Sequence, residues 1–107
     1  MDPEVLREKV GQASRLLKSL ANERRLLIMC YLREGEKSVR ELEPLVGLSQ
    51  SALSQHLARL RREHLVTTRR EAQMIFYSIS SEEVQTVLGS LYELYCAEAQ
   101  DDPSRSG

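Results

Sequence analysis

The 107-residue chain lacks any apolar run approaching the ~20 residues that a membrane-spanning helix requires. Its first ten residues, MDPEVLREKV, contain acids and no apolar core, so no export signal is expected. These two absences predict a cytoplasmic protein with no membrane partner. Hydrophobic residues make up 41% of the sequence and charged residues 29%, a balance that excludes a disordered chain and predicts one small globular domain.

Cysteine and histidine are scarce, with two of each. In a cytoplasmic protein Cys30 and Cys96 are not expected to form a structural disulfide. His56 and His64 have no cysteine nearby, so they do not make up a metal-binding set. The sequence therefore predicts no metal and no cofactor. The two cysteines are either small buried side chains or reactive thiols.

Positive charge is absent from a long stretch near the end of the chain. Residues 71–102 contain seven acids and no lysine or arginine, whereas residues 48–70 contain five arginines and one acid. The net charge of −1 therefore conceals one basic zone. Such a zone indicates a surface for a polyanion, although a solvated charged face would have the same composition.

Apolar spacing predicts four helices in the first 63 residues. Residues 4–20 carry an apolar residue every third or fourth position, which suits packing against another helix. A second helix follows the N-cap Asn22 and stops at Gly35. A third spans 38–47 with a capping box, and a fourth runs from the cap Ser49 to about Glu63. His64 is expected to close the end of the fourth helix.

After His64 the apolar period changes to that of strands. VTTRR and QMIFYSI are rich in β-branched and aromatic residues and predict a hairpin. Glu71-Ala72 is a poor tight-turn pair, so a wider loop over 69–73 is expected. A last helix is predicted over 82–100, followed by a polar tail at 101–107. Its apolar stripe consists of Val84, Val87, Leu88, Leu91 and Tyr95.

This order of elements predicts a mainly α fold with a small β-hairpin. The third and fourth helices would form a helix-turn-helix, with the hairpin beside it as a wing. The whole chain, 1–107, is then a single winged helix-turn-helix domain with its core at about 4–98. A domain of this size buries a modest fraction of its surface, so a homodimer is expected.

The fourth helix, SQSALSQHLARLRRE, directs small polar side chains outward at its start and arginines farther along. Amides and hydroxyls can read base edges in a major groove, and arginines can neutralise phosphates. The predicted contacts to double-stranded DNA are Gln50, Ser51, Ser54, Gln55, His56, Arg59 and Arg62, with Arg69, Arg70 and Gln73 on the wing. The alternatives are a plain surface helix, a winged-helix adaptor that binds no DNA, and a thiol enzyme, for which no activating base is visible.

Three segments together resemble the ArsR/SmtB family of winged-helix repressors. They are LLKSLANERRLLIMCYL, SVRELEPLVGLSQSALSQHLARLRREHLV and TTRREAQMIFYSIS, and the resemblance spans about residues 12 to 97. It implies a non-enzymatic regulator that binds inverted-repeat operators as a homodimer formed by the first and last helices. The implied dimer residues are Leu6, Val10, Ala13, Leu17, Val84, Val87, Leu88, Leu91 and Tyr95.

The resemblance also bears on what is sensed. Two metal-site patterns of the family are unmatched, because 38–47 has no cysteine and 82–100 has no histidine or aspartate. The similarity is to a branch that responds to sulfide or oxidants through two thiols. It implies that Cys30 and Cys96 react with persulfides or polysulfides and become linked. Peroxide as the oxidant, an anti-repressor without a thiol switch, and Cys30 as mere core packing remain alternatives.

Overall fold

The computed structural model describes residues 1–97, in which five helices and three strands follow one another. They are α1 (Pro3–Leu20), α2 (Glu23–Arg33), β1 (Lys37–Ser38), α3 (Val39–Val46), α4 (Gln50–Arg62), β2 (Val66–Glu71), β3 (Met74–Ile79) and α5 (Glu82–Tyr95). The five helices and the hairpin confirm the predicted fold class. The predicted polar tail and the last residues of the final helix lie outside the described residues.

Local side-chain chemistry explains where the helices begin and end. Asn22 Oδ1 accepts hydrogen bonds from the amides of Arg24 and Arg25 at 3.0 and 3.1 Å. Ser38 and Glu41 form a reciprocal capping box at the start of α3. Gly47 ends α3 in the left-handed conformation, with φ 73°, which glycine adopts without steric cost. The predicted caps are confirmed at these positions.

The hairpin belongs to a three-stranded antiparallel sheet with the order β1-β3-β2. The two-residue strand β1 was not predicted, because two residues are too short to show a period. The expectation of a wide loop was wrong. Pairing continues to Glu71↔Met74, and Ala72 adopts φ 57° as the first residue of a two-residue turn. A positive φ at that position is what a type II′ hairpin turn needs.

The core lies where α2, α3, α4, the base of the wing and α5 meet. Its buried apolar residues are Leu20, Ile28, Met29, Leu32, Leu42, Val46, Leu53, Leu57, Leu60, Leu65, Val66, Val84 and Leu88. Val84 and Leu88 were predicted to lie in a dimer interface. That prediction was wrong for these two residues, because both are almost completely covered by their own chain. Within residues 1–97, no helix is both long and apolar enough to span a membrane.

Candidate DNA-binding surface and cysteine pair

Helix α4 is held by one apolar side and leaves its other side open. Leu53, Leu57 and Leu60 are fully buried. At the start of the helix, Ser49 Oγ accepts a hydrogen bond from the amide of Ala52 at 3.2 Å. His64, with φ 61°, turns the chain out of the helix, and its amide donates to the carbonyl of Arg61 at 3.0 Å. These contacts fix the outward direction of the opposite face.

Most of the sequence-predicted contact residues on α4 lie on this open face. Gln50, Ser51, Ser54, Gln55 and Arg62 are all exposed. We call these five residues the reading face. Arg62 makes no ion pair with any residue in 1–97, so its charge is available to a ligand. The face therefore presents hydroxyls and amides near the helix start and a guanidinium farther along.

Two other predicted residues lie at the edge of the reading face. Arg59 is half-buried and its Nε lies 3.6 Å from Glu63 Oε1. His56 is also half-buried, and its Nδ1 lies 3.5 Å from Nη1 of Arg25 on α2. Burial lowers the pKa of His56, and the positive charges of Arg25, Arg24 and Arg59 lower it further. His56 is thus held neutral in a positively charged surrounding.

On the wing, Arg69 differs from Arg62 because its charge is paired within the protein. Arg69 on β2 was predicted to reach a phosphate, but its guanidinium is already occupied. Nε and Nη2 donate to the two carboxylate oxygens of Glu36 at 3.1 and 2.7 Å, and Nη1 donates to Glu71 at 2.7 Å. The same group lies 4.6 Å from the centroid of the Phe76 ring. The prediction of Arg69 as a free phosphate contact is therefore corrected.

Sheet geometry explains this arrangement. Arg69 pairs with Phe76 on the middle strand, and Phe76 pairs with Ser38 on β1. The arginine side chain crosses the middle strand over the aromatic ring and reaches Glu36, which precedes β1. It thereby ties all three strands together. Arg70 and Gln73 remain exposed at the wing tip, as a nucleic-acid contact would require.

Sequence reasoning missed a pair of arginines at the start of α2. Arg24 Nη1 donates to the carbonyl of Val46 at 2.8 Å, at the end of α3. Arg25 Nε donates to the carbonyl of Ser19 at 2.7 Å, at the end of α1. The signal was present, because two cations in the first turn of a helix oppose its dipole and require another reason to be there. That reason is the closing of two other helix ends.

The structure brings the two cysteines to neighbouring places. Cys30 lies on α2, Cys96 caps the end of α5, and both are exposed. About one turn from each, the guanidinium of Arg33 lies over the ring of Tyr92, 5.4 Å from its centroid. Partial enclosure by the protein raises the pKa of the Cys30 thiol, and the charge of Cys96 raises it further. The alternative that Cys30 is core packing is wrong, because the residue is exposed.

The predicted dimer residues divide into three groups. Leu6, Val10 and Leu17 on α1 are 49%, 57% and 56% exposed, although each is a large apolar side chain. Ala13 is exposed beside them, and Val87 and Leu91 are half-buried on α5. Tyr95 is 75% exposed at the end of α5. Val84 and Leu88 belong to the core.

No group of three or more His, Cys, Asp or Glu side chains among residues 1–97 is placed to hold a metal ion. The surface instead combines three features, which are an outward-facing second helix of a helix-turn-helix, free arginine charge beside it, and a paired-strand wing. Together they define a winged-helix DNA-binding protein.

Comparison with known proteins narrows this class. The sequence profile described as "Bacterial regulatory protein, arsR family" matches residues 22–68. The transcriptional activator HlyU of Vibrio cholerae serotype O1 is 52% identical over 96 residues, covering 90% of this chain and 89% of that protein. The chain belongs to the ArsR family, and it is a DNA-binding transcriptional regulator rather than an enzyme. Membership of this family excludes the alternative of a winged-helix adaptor that binds no DNA.

Solved structures agree with the fold. Reduced HlyU from Vibrio cholerae N16961 superposes with a TM-score of 0.84 at 53% identity, covering 87% of this chain and 98% of that one. The transcriptional repressor BigR from Xylella fastidiosa gives a TM-score of 0.82 at 38% identity, covering 91% and 99%. The winged-helix arrangement predicted from the sequence is thus confirmed.

Proposed function

We propose that the chain is a homodimeric regulator whose affinity for an inverted-repeat operator is controlled by linkage of Cys30 to Cys96. The observation that carries this proposal is the pair of exposed thiols at the meeting ends of α2 and α5, close enough for one charge to raise the pKa of the other. A relative with 53% identity, HlyU from Vibrio cholerae N16961, has been solved in a reduced form.

The exposed apolar stripe of α1 supports the dimer. Leu6, Val10, Ala13 and Leu17 recur at 4-3-4 spacing on one side of an 18-residue helix, which is the spacing of helix–helix seams. Leu94 and Tyr95 extend the exposed apolar surface on α5. Covering this surface with a second copy removes it from water. We propose that Leu6, Val10, Ala13, Leu17, Val87, Leu91 and Tyr95 form the interface.

The dimer can be tested separately. Val10→Asp places a charge in the proposed seam, and Gln12→Asp places the same charge about 200° around the helix. Sedimentation should show that Val10→Asp shifts the protein toward monomer while Gln12→Asp does not. Equal sedimentation of both variants with the original protein would contradict this interface.

The reading face supports the DNA contacts. A dimer would present two copies of α4 to successive major grooves, roughly 34–36 Å apart. We propose that Gln50, Ser51, Ser54 and Gln55 contact base edges. Arg59, Arg62 and His56 flank them toward the backbone, and Arg70 and Gln73 reach DNA from the wing.

The proposed chemistry requires an oxidant, and a low-molecular-weight persulfide, RSSH, supplies it. The thiolate of one cysteine attacks the outer sulfur, giving a protein persulfide and releasing RSH after protonation. The thiolate of the second cysteine then attacks the protein-bound sulfur, forming the bridge and releasing H₂S. The protein loses two electrons and the persulfide is reduced to thiol and sulfide. If both cysteines first become persulfides, their reaction leaves a three-sulfur bridge and releases one H₂S.

Bridge length supplies a basis for selectivity. A direct disulfide requires Cα atoms about 4.4–6.8 Å apart, whereas a bridge with additional sulfur spans a wider gap. Peroxide can only produce the direct bridge. We propose that the site favours sulfane sulfur over peroxide for this reason.

Linkage of Cys30 to Cys96 can alter the DNA-binding surface through α2. This helix carries Cys30 and, more than one turn earlier, the Arg25 side chain that contacts α4 at His56. Tying α2 to α5 changes the relation between the dimer helices and the two reading faces, so half-site spacing no longer matches. A coupling free energy of about 1–3 kcal/mol corresponds to a 5–150-fold change in affinity.

The test compares operator binding of reduced and polysulfide-treated protein, using a duplex selected by the reduced protein. The original protein should lose affinity on treatment, by about 5–150-fold, while Cys30→Ser and Cys96→Ser should keep it. Equal affinities in all four preparations would exclude the switch. Mass spectrometry then tests the bridge, since a bridge with added sulfur comes only from sulfane sulfur and supports sulfide signalling. A plain loss of two hydrogens is the product of peroxide and of a single protein persulfide alike, and it would contradict the proposed selectivity for the longer bridge.

The pH dependence gives a second check on Cys30. Its raised pKa leaves less thiolate at neutral pH than an ordinary cysteine has. Alkylation of Cys30 by iodoacetamide, followed in Cys96→Ser, should therefore become faster well above neutral pH, at higher pH than for a free cysteine. That variant lacks the charge of Cys96, so the enclosure remains as the largest cause, beside the smaller effects of Arg33 and Glu34.

A further inference from the structure

A pocket of about 430 Å³ lies between α2 and α4, and its charge is of one sign. Its lining consists of Arg25, Gln55, His56, Ala58, Arg59 and Arg62, and it contains no carboxylate. The larger cleft, about 710 Å³, differs because both Lys9 and Glu83 line it. We call the smaller one the cationic pocket.

The cationic pocket is lined by Arg25, which makes no ion pair with a carboxylate among residues 1–97. Arg25 is 7% exposed, and its hydrogen-bond acceptors are the carbonyls of Ser19 and Lys18 and the imidazole of His56. None of these is charged. Among the described residues, one N–H on each of its two terminal nitrogens has no acceptor. A buried cation is normally paired, so this group requires an explanation.

The imidazole beside it is a donor toward any ligand. Arginine can only donate, so Nδ1 of His56 must accept the Arg25 hydrogen bond and the neutral ring carries its proton on Nε2. Arg59 and Arg62 add two more guanidiniums at the rim, and Glu63 offsets part of this charge, through its 3.6 Å ion pair with Arg59 and its weaker effect on Arg25. Positive charge therefore exceeds negative charge at the pocket. Carboxylate and phosphate oxyanions both satisfy forked N–H donors of this kind, and beside a surface proposed to bind DNA the phosphate is the oxyanion at hand.

The position of the pocket indicates the source of the phosphate. Gln55 and Arg62 belong to both the cationic pocket and the reading face, so the pocket borders the surface proposed to enter the major groove. We infer that each cationic pocket binds one phosphate of the DNA backbone flanking the groove, with Arg25 as its buried donor. This inference rests on the proposed orientation of α4 on DNA, and it is independent of the thiol switch.

The first test measures how affinity for a mixed-sequence duplex depends on salt, using the reduced full-length protein. Each phosphate contact contributes about 0.9 to the slope of log K against log salt concentration. Arg62→Gln should lower the slope by about that amount for each pocket. Arg61→Gln is the matched control, because Arg61 is exposed on the same helix and does not line the pocket. Equal slopes for the two variants would overturn the inference.

The second test observes the pocket itself by NMR of ¹⁵N-labelled protein. Addition of duplex should shift the Arg25 Nε–H signal and raise the pKa of His56, whose protonation Arg24, Arg25 and Arg59 oppose in the free protein. Arg62→Gln should weaken both responses. If the duplex binds and both signals stay in place, the pocket does not hold a phosphate and the inference fails, while DNA binding stands. Loss of all duplex binding at low salt would instead contradict the orientation of α4.

A titration with inorganic phosphate, compared with chloride at the same ionic strength, shows whether the pocket binds a phosphate of the DNA backbone or a free phosphate anion. Shifts with duplex, whether or not free phosphate also produces them, support the backbone site. Shifts with free phosphate alone would overturn it in favour of a free-anion site. Arg25→Lys keeps the charge and removes the fork, so it should reduce duplex affinity. Should that variant fail to fold, Arg62→Gln and the NMR shifts still decide the question.

Discussion

The reading face and the wing both carry arginines, yet they use them in opposite ways. Arg62 on α4 has no ion pair within the described part of the chain, whereas Arg69 on the wing is held by Glu36 and Glu71 and lies over Phe76. In one region the guanidinium charge faces outward for a ligand, and in the other it fastens three strands. Local charge in a sequence therefore does not reveal which arginines are available to DNA.

The largest expected difference is in DNA affinity. Arg62→Gln should weaken duplex binding by about tenfold to hundredfold at low salt, because a dimer loses two charge-assisted phosphate contacts. Arg69→Gln should weaken it by less than about threefold, because its charge is already neutralised within the wing. Fluorescence anisotropy on one duplex measures both. Similar losses for the two variants would show that the wing arginine exchanges its carboxylates for phosphates.

The wing should respond to acid through Glu36. Its carboxyl pKa is lowered, chiefly by the hydrogen bonds from Arg69. The folded state thus binds fewer protons than the unfolded state below the ordinary pKa of 4.5, and the stabilisation present above pH 4.5 is lost as pH falls. Glu36→Gln should have a lower melting temperature than the original protein at pH 7, with the difference vanishing well below pH 4.5. A difference that persists in acid would contradict the ion pair as its cause.

On the α4 side, the corresponding pH response occurs near neutrality. The pKa of His56 is lowered from 6.5 by burial and by the nearby arginines. The unfolded state therefore takes up a proton first as pH falls through 6.5, and the folded state loses stability there. Between pH 7.5 and 5.5 the urea midpoint of the original protein should fall more than that of His56→Gln. Parallel curves would mean that the imidazole is not held neutral.

The smallest expected effects are on the free energy of unfolding, and they concern the two strained turns. His64 ends α4 with φ 61° and Ala72 turns the wing with φ 57°, and a left-handed side chain costs roughly 1–2 kcal/mol. Glycine removes this strain and loses part of the gain through its greater freedom in the unfolded chain. Each of His64→Gly and Ala72→Gly should therefore stabilise the fold by about 0.5–1 kcal/mol in urea denaturation. Destabilisation of the wing by Ala72→Gly would show that the alanine methyl makes a packing contact.

Much of the fold could be predicted because its signals are local. Caps such as Asn22, Ser38 and Ser49, and the periodic leucines of α4, lie within a few residues of what they determine. The hairpin turn was mistaken because strand pairing through Glu71 and Met74 forces Ala72 into a conformation that alanine does not favour by itself.

The remaining features depend on partners far along the chain. Arg69 meets Glu36 from 33 positions away, and Arg25 meets His56 from 31, so neither pair has a local pattern. The apolar stripe of α5 contains Val84, Leu88, Leu91 and Tyr95. The stripe alone does not show which of these side chains are buried within one chain and which stay exposed. The exposure of Cys30 likewise followed only from the packing of α2 against its neighbours.

The corner between α1 and α2 has a consequence for how this protein can change over generations. Arg24 and Arg25 are consecutive, yet they close the ends of two different helices. One residue inserted after Asn22 would leave Arg24 and Val46 in place, because both follow the insertion, but it would displace the carbonyl of Ser19 from Arg25. Over generations the length of this corner is therefore constrained through Arg25, whereas the tie from Arg24 to α3 tolerates a longer or shorter corner.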